Sequence, residues 1–262
     1  DEAQREKGSS RVPLNLFLKK LLGKEVLDFL PNASPPGKKP MKLRGAFKNA
    51  YIHFTHAVIV QKQDILTKET MWLLMARGAL PICATGQKGV DLIIPVVQGD
   101  IVKESTVTAI FIQVKNDDPT GPDCSKYFLN LHPKNTNYLS QGQEALELPF
   151  IRLVMAFQGK KNEVTRHFID YSRPVDFTAY DIICRGITPE TYKVIKQGDV
   201  EGWKRCLDIL GGFEALFKHP NGEEMSDDQK RTTRFRWPGA DHTEKFPFRW
   251  MLQKNDSEPS PA

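Results

Sequence analysis

No apolar run in the 262 residues comes near the ~18–20 consecutive residues that carry a helix across a bilayer, so a membrane span is excluded. Cysteine is scarce: Cys83, Cys124, Cys184 and Cys206 each stand alone, with no short pair of the kind that opens a zinc knuckle. That excludes a disulfide scaffold, argues against structural zinc and fits a reducing, intracellular compartment. The opening stretch, Asp1-Glu2-Ala3-Gln4-Arg5-Glu6-Lys7, lacks the apolar core of a secretory signal, and it starts without Met, as a piece of a longer chain would. Gly-x-Ser-x-Gly, His-Glu-x-x-His and the dinucleotide fingerprint are all missing. Thr85-Gly86-Gln87-Lys88-Gly89 lacks the Gly-Lys-Ser/Thr of a phosphate loop and reads as a hairpin turn, with Lys88 placed to meet a phosphate. There are no internal repeats.

What is present is an ordinary globular composition, 40% hydrophobic and 26% charged, long enough to bury a substantial core. Lys and Arg (37) outnumber Asp and Glu (32), a formal charge of +5, which permits a polyanionic partner without demanding one. The distribution is more telling. Lys19, Lys20, Lys24, Lys38, Lys39, Lys42, Arg44 and Lys48 crowd the N-terminal fifth. Arg231, Arg234, Arg236, Lys245 and Arg249 crowd the other end, interleaved with Phe235, Trp237, Phe246, Phe248 and Trp250. These read as solvated surface and packing tail, or as a phosphate-facing rim with aromatic platforms. The division expected is a helical, basic extension over 1–44, a core over 45–215 and a basic-aromatic tail over 216–262.

Leu14, Phe17, Leu18, Leu21 and Leu22, then Val26, Leu27, Phe29 and Leu30, predict a helix over 11–30 interrupted at Gly23. The segment 45–60 reads as helix or strand. Thr67 is an N-cap with Glu69 in the first turn, and Met71, Trp72, Leu74 and Met75 supply the apolar face of a helix ending near Gly78. Three strands follow, around Leu80–Ala84, Val90–Val97 and Thr106–Lys115. Residues 117–147 read as loop-rich. A fourth strand is expected at Phe150–Phe157, a fifth at Tyr180–Cys184, a helix from Thr188-Pro189-Glu190 and a short helix over Glu201–Leu210. The fold class is α/β, with a mixed central sheet flanked by helices.

Asp91 is the one charged residue of its strand, and a carboxylate among Val and Ile is costly to bury unless paired or metal-bound. The next strand ends Gln113-Val114-Lys115-Asn116, and its period of two puts Gln113 and Lys115 on one face. Adjacent strands can thus set an acid, an amide oxygen and an ammonium around one point, with Glu69 as a second carboxylate. That set suits phosphodiester hydrolysis on Mg²⁺ or Mn²⁺, a hard ion that prefers oxygen ligands. Asp91, Gln113, the Val114 carbonyl and Glu69 are the expected ligands, and Lys115 the group that holds the attacking water.

The order helix, strand, strand, strand, with Gly89-Val90-Asp91 and then Gln113-Val114-Lys115, resembles the restriction-endonuclease-like (PD-(D/E)XK) superfamily, whose signature is an Asp followed by Glu, Asp or Gln, any residue, and Lys. The Gln form is similar to the Mrr-type branch. Tyr51-Ile52-His53-Phe54-Thr55-His56, Arg77-Gly78-Ala79, Gly89-Val90-Asp91-Leu92-Ile93-Ile94-Pro95 and Ile112-Gln113-Val114-Lys115-Asn116 also resemble a group of fungal proteins similar to the nuclease-like domains of Crinkler-type and transposon-derived proteins. The likeness spans roughly residues 45–210, its core motif 69–116. It implies Mg²⁺-dependent cleavage of DNA and a second copy of the chain as partner where two strands are cut; the basic charge and the lone cysteines point to an intracellular setting, the nucleus included.

Each residue also has a plainer reading. Asp91 can be a strand-end carboxylate satisfied by backbone amides, Lys115 a lysine reaching into water, and Glu69 a complement to the helix dipole. His53 and His56 share a face if they lie on a helix, as metal or phosphate ligands or as a half-buried hydrogen-bonding pair. Gln113 in place of an acid removes a negative charge from the metal site. The alternative function is therefore a catalytically silent nuclease-fold module that binds nucleic acid or a protein, as an effector or a selfish-element protein would.

Overall fold

The computed structural model describes residues 11–60, 65–83, 89–116, 118, 121–136, 138 and 147–215. The expectations for residues 1–10, for the turn over 84–88 and for the basic-aromatic tail lie outside them. The chain divides into two compact units, Asp1–Trp203 and Lys204–Ala262, and the first holds the whole sheet and the residues of the site described below.

Leu14, Leu18 and Leu22 recur at helical spacing and are all buried on one face of α1 (Leu14–Leu22). Gly23, at φ +101°, ends the helix, its N–H returning to the Lys19 carbonyl at 3.0 Å, and a single 3-10 turn over Glu25–Asp28 follows. The ambiguous 45–60 stretch resolves into α2 (Leu43–Ala46), β2 (Ala50–Ile52) and β3 (His56–Ile59). Thr67 caps α3 (Lys68–Ala76) as expected, its hydroxyl oxygen accepting the Thr70 N–H at 3.2 Å. The three strands after it are β4 (Ala79–Ile82), β5 (Leu92–Gln98) and β6 (Val107–Lys115).

Two expectations fail. The loop-rich stretch carries α4 (Gly121–Asn130), whose Cys124, Phe128 and Leu131 are buried. No helix starts at Thr188: one helical bond, Tyr192 N–H to the Thr188 carbonyl at 2.8 Å, is not continued, because the next N–H, of Lys193, donates instead to Leu21 of α1 at 2.8 Å. Tertiary bonding wins over the capping signal there. The chain completes with β7 (Phe150–Ala156), β8 (Glu163–Arg166), β9 (Ala179–Arg185) and α5 (Val200–Ala215).

With β1 (Val12–Pro13), the strands form one mixed sheet in the order β1-β2-β5-β6-β7-β9-β8, and β4, carrying β3, joins β5 at Ile82 opposite Leu92. β5 and β6 are antiparallel, while β6, β7 and β9 run parallel, the first step made through α4. Pro95 can sit inside β5 because its outer edge passes there from β4, at Leu92, to β2, at Val96, with neither strand opposite.

Both faces of the sheet are covered, which is why its strands read as continuous apolar runs. Ile93, Phe111, Val154 and Ile183 pack with Met71 of α3 and Phe128 of α4. Ile94, Ile110, Leu153 and Ile182 pack with Leu14, Leu18 and Leu43. Within the first face, Arg152 of β7 and Asp181 of β9 are register neighbours, fully buried, and joined at 2.6 and 2.7 Å. Arg152 also donates to the Phe128 carbonyl and the Tyr171 hydroxyl, so the pair ties α4 to the sheet.

Candidate active site

The antiparallel ladder of β5 and β6 stops at Leu92 opposite Ile112. Val114, two residues further along β6, still turns its N–H toward β5, and the Asp91 carboxylate takes the place of the missing backbone acceptor: Oδ2 accepts that N–H at 2.7 Å. The Asp91 backbone is held on both sides, its N–H donating to Ile112 at 2.9 Å and its carbonyl accepting from Cys83 of the β4 end at 2.8 Å. Since N–H and C=O of one strand residue point the same way, the Val114 carbonyl also faces the side of Asp91.

Alternation along β6 puts Gln113 and Lys115 on the face of Phe111 and Ile93. Asp91 lies in the bend just before β5, with its carboxylate on the Val114 N–H and near the Lys115 charge. The structure therefore brings Asp91, Gln113 and Lys115 to one end of the sheet. Burial raises the Asp91 carboxyl above the ordinary carboxylate range, against the Val114 N–H and the Lys115 charge, which both lower it. The Lys115 ammonium lies 4.5 Å from the centre of the Tyr127 ring, a cation–π contact from α4. Gln113 is 6% exposed, and its side-chain carbonyl Oε1 is buried with no hydrogen-bond partner among the described residues.

Glu69 stands apart. It is exposed in the first turn of α3, and among the described residues no hydrogen bond joins it to the other three. Nowhere among the described residues do three His, Cys, Asp or Glu side chains gather as metal ligands. The oxygens that fit a hard cation here are the Asp91 carboxylate, the Gln113 amide and the Val114 carbonyl, one charged and two neutral. His53 and His56 do not lie on a helix: His53 is half-buried against Gly78, and His56 is exposed on β3 with Nδ1 3.1 Å from the Thr55 hydroxyl.

Residues that sequence reasoning missed complete the surroundings. Lys115, Ala156 and Arg185 are neighbours across β6, β7 and β9, so Arg185 ends the same row. Its guanidinium bonds Asp118 at 3.2 Å and Glu163 at 3.1 Å. Ser125 of α4 lies 2.9 Å from His167 Nε2, and the His167 ring stacks on Phe128 at 4.9 Å. Burial, then Arg185 and Arg152, lower the His167 pKa and keep its ring neutral. The missed signal was Cys124, Tyr127, Phe128 and Leu131, an i, i+3, i+4, i+7 series that marks α4 as a packed helix.

Cys83 and Cys184 are small buried side chains, and burial pushes the Cys83 thiol up to about 12. No helix among the described residues is long and apolar enough to cross a membrane. No family model matches this chain, and neither the curated proteins nor the solved structures contain a match to it.

Proposed function

We propose that the protein is a metal-dependent nuclease that hydrolyses phosphodiester bonds of DNA, with Asp91, Gln113 and Lys115 as its working residues. The observation that carries this reading is the Gln113 side-chain carbonyl, buried and without a hydrogen-bond partner among the described residues, at the sheet end where Asp91 stands. A buried acceptor left open is costly unless something occupies it, and a hard cation suits it. The helix–strand–strand–strand order on which the resemblance rests supports the same reading, as does the shared face of Gln113 and Lys115 beside Asp91.

Asp91, Gln113 and the Val114 carbonyl would hold Mg²⁺ or Mn²⁺. Such an ion would lower the pKa of a water molecule and offset charge developing on the phosphate. Asp91 has one oxygen anchored by the Val114 N–H, which orients the other. Lys115, steadied on the Tyr127 ring, holds the attacking water and faces the phosphate. Cutting both strands of a duplex would take two copies of the chain.

The test is plasmid cleavage with Mg²⁺ or Mn²⁺. Asp91→Ala and Lys115→Ala should each abolish it, and cleavage insensitive to both changes would remove the reading. A second reading is a silent nuclease-fold module that binds nucleic acid. It is favoured by the single carboxylate at the site, Glu69 being exposed and unconnected to it. Calorimetry separates the two: salt-sensitive DNA binding with no divalent-ion binding supports the second.

A further inference from the structure

A second cavity, of about 290 Å³, lies at the other end of the sheet. Thr178 and Tyr180, at the start of β9, and Pro149, just before β7, form one wall. The parallel strands run about 20 Å from there to Lys115, at ~3.3 Å per residue, so this cavity is remote from Asp91 and independent of the nuclease reading.

The opposite wall is the 31–46 segment, and it is built rather than loose. Asn32 N–H donates to the Ala179 carbonyl at 2.8 Å, and the Ala179 N–H returns to Ala33 at 3.0 Å. The Tyr180 hydroxyl donates to the Met41 carbonyl at 2.8 Å, and burial keeps that phenol protonated, its pKa raised to about 12. Pro31, Pro35, Pro36 and Pro40 restrict what lies between.

The basic residues of this segment are unequally used. Lys42 and Arg44, outside the lining, both pair with Asp28. Lys38 and Lys39, exposed and part of the lining, pair with no carboxylate among the described residues. Ser34 adds a hydroxyl to the lining. Two lysines and a serine bordering one cavity suit a phosphate oxygen cluster. The remaining lining, with Pro31, Met41 and Pro149, is apolar, and the space exceeds what a bare phosphate fills. It stands at the small end of the ~300–1,000 Å³ of small-molecule sites.

We propose that this cavity binds a small phosphomonoester, with the phosphate held by Lys38, Lys39 and Ser34 and the organic body resting on Pro31, Met41 and Pro149. Adenosine 5′-monophosphate, glycerol 3-phosphate and adenosine are the probes, added to the full chain and followed by amide NMR. The two phosphates should produce saturable shifts confined to residues 32–46 and 178–180, and adenosine should bind about tenfold more weakly or not at all. A Lys38→Ala/Lys39→Ala double variant should weaken phosphate binding by about tenfold or more.

The proposal is overturned if neither phosphate gives a saturable shift at millimolar concentration, or if the shifts ignore the lysine variant. Displacement of the monophosphate by a short DNA duplex at stoichiometric concentration would overturn it too, by assigning the lysines to a polymer backbone. Because the Asp91 site is untouched, loss of plasmid cleavage bears on the nuclease reading and not on this one.

Discussion

The carboxylate of Asp91 and the backbone N–H of Val114 are joined at 2.7 Å, a side chain completing a ladder that the partner strand no longer supplies. The same bond that satisfies the acid fixes it beside Gln113 and Lys115. A structural role and a chemical one therefore coexist in a single residue, and variants must separate them.

Asp91→Asn keeps an acceptor for the Val114 N–H and removes the charge. Its Mn²⁺ affinity, measured by calorimetry, should fall by at least about a hundredfold, more than is typical for losing an outer-shell partner. Its stability should move the other way. The native carboxyl titrates above its ordinary value, so its contribution is present in acid and is lost as pH rises through the raised value. At neutral pH the Asn variant should melt at or above the wild type, and that gap should close as pH falls through the raised value. A variant that melts well below the wild type at pH 7 would contradict the burial argument.

The Arg152–Asp181 pair is fully buried, and each charge depends on the other. Arg152→Met alone should cost about 3–5 kcal/mol in chemical denaturation, because Asp181 is left charged in a dry interior. Replacing both with apolar residues of similar volume should recover most of that loss. An equal loss in single and double variants would mean that shape, not charge, sets the cost.

Gly89 stands two residues before Asp91 at φ +100°, and a Cβ there would meet the Asn130 carbonyl oxygen at 2.9 Å. Gly89→Ala should therefore destabilise by more than ~1 kcal/mol, from backbone strain and from pushing against the end of α4. The movement falls on the segment that carries Asp91, so cleavage should drop with stability. Gly37→Ala, also at positive φ but in open space, should strain only the backbone and leave cleavage unchanged.

His132 packs edge-on against Phe150 and Phe177, and its Nδ1 accepts the Lys134 N–H at 3.1 Å. Burial, then the Arg152 and Lys134 charges, lower its pKa to about 4. The unfolded chain takes up a proton near pH 6.5 and the native chain does not, so stability is complete above that value and falls as pH drops toward 4. His132→Phe should flatten this part of a melting-temperature profile, and an unchanged slope would assign it to other groups.

Much of the site was readable because it depends on local periodicity. A charged residue alone in an apolar strand, and Gln113 and Lys115 two apart in the next, place three groups with no more than the pleat of a strand. Glu69 failed to join them because a first-turn position on α3 says where the residue lies along its helix, not which way the helix is turned over the sheet. α4 was passed over because Asp117-Asp118-Pro119-Thr120-Gly121-Pro122 reads as turn chemistry and hid the apolar spacing that follows. The helix at Thr188 was expected from a cap, and a carbonyl on α1, more than 160 residues away, took the N–H that would have extended it.

The Thr67-capped helix with the three strands after it, the α/β class and the shared face of Gln113 and Lys115 follow from sequence alone, since hydrophobic period and strand alternation act over a few neighbours. Tertiary structure alone decided that Asp91 bonds Val114, that Tyr127 lies against Lys115, that Arg152 meets Asp181, and that Lys38, Lys39 and Thr178 border one cavity. These are contacts between segments far apart in the chain. They exist only once register and packing are set, and no local pattern encodes which distant partner arrives.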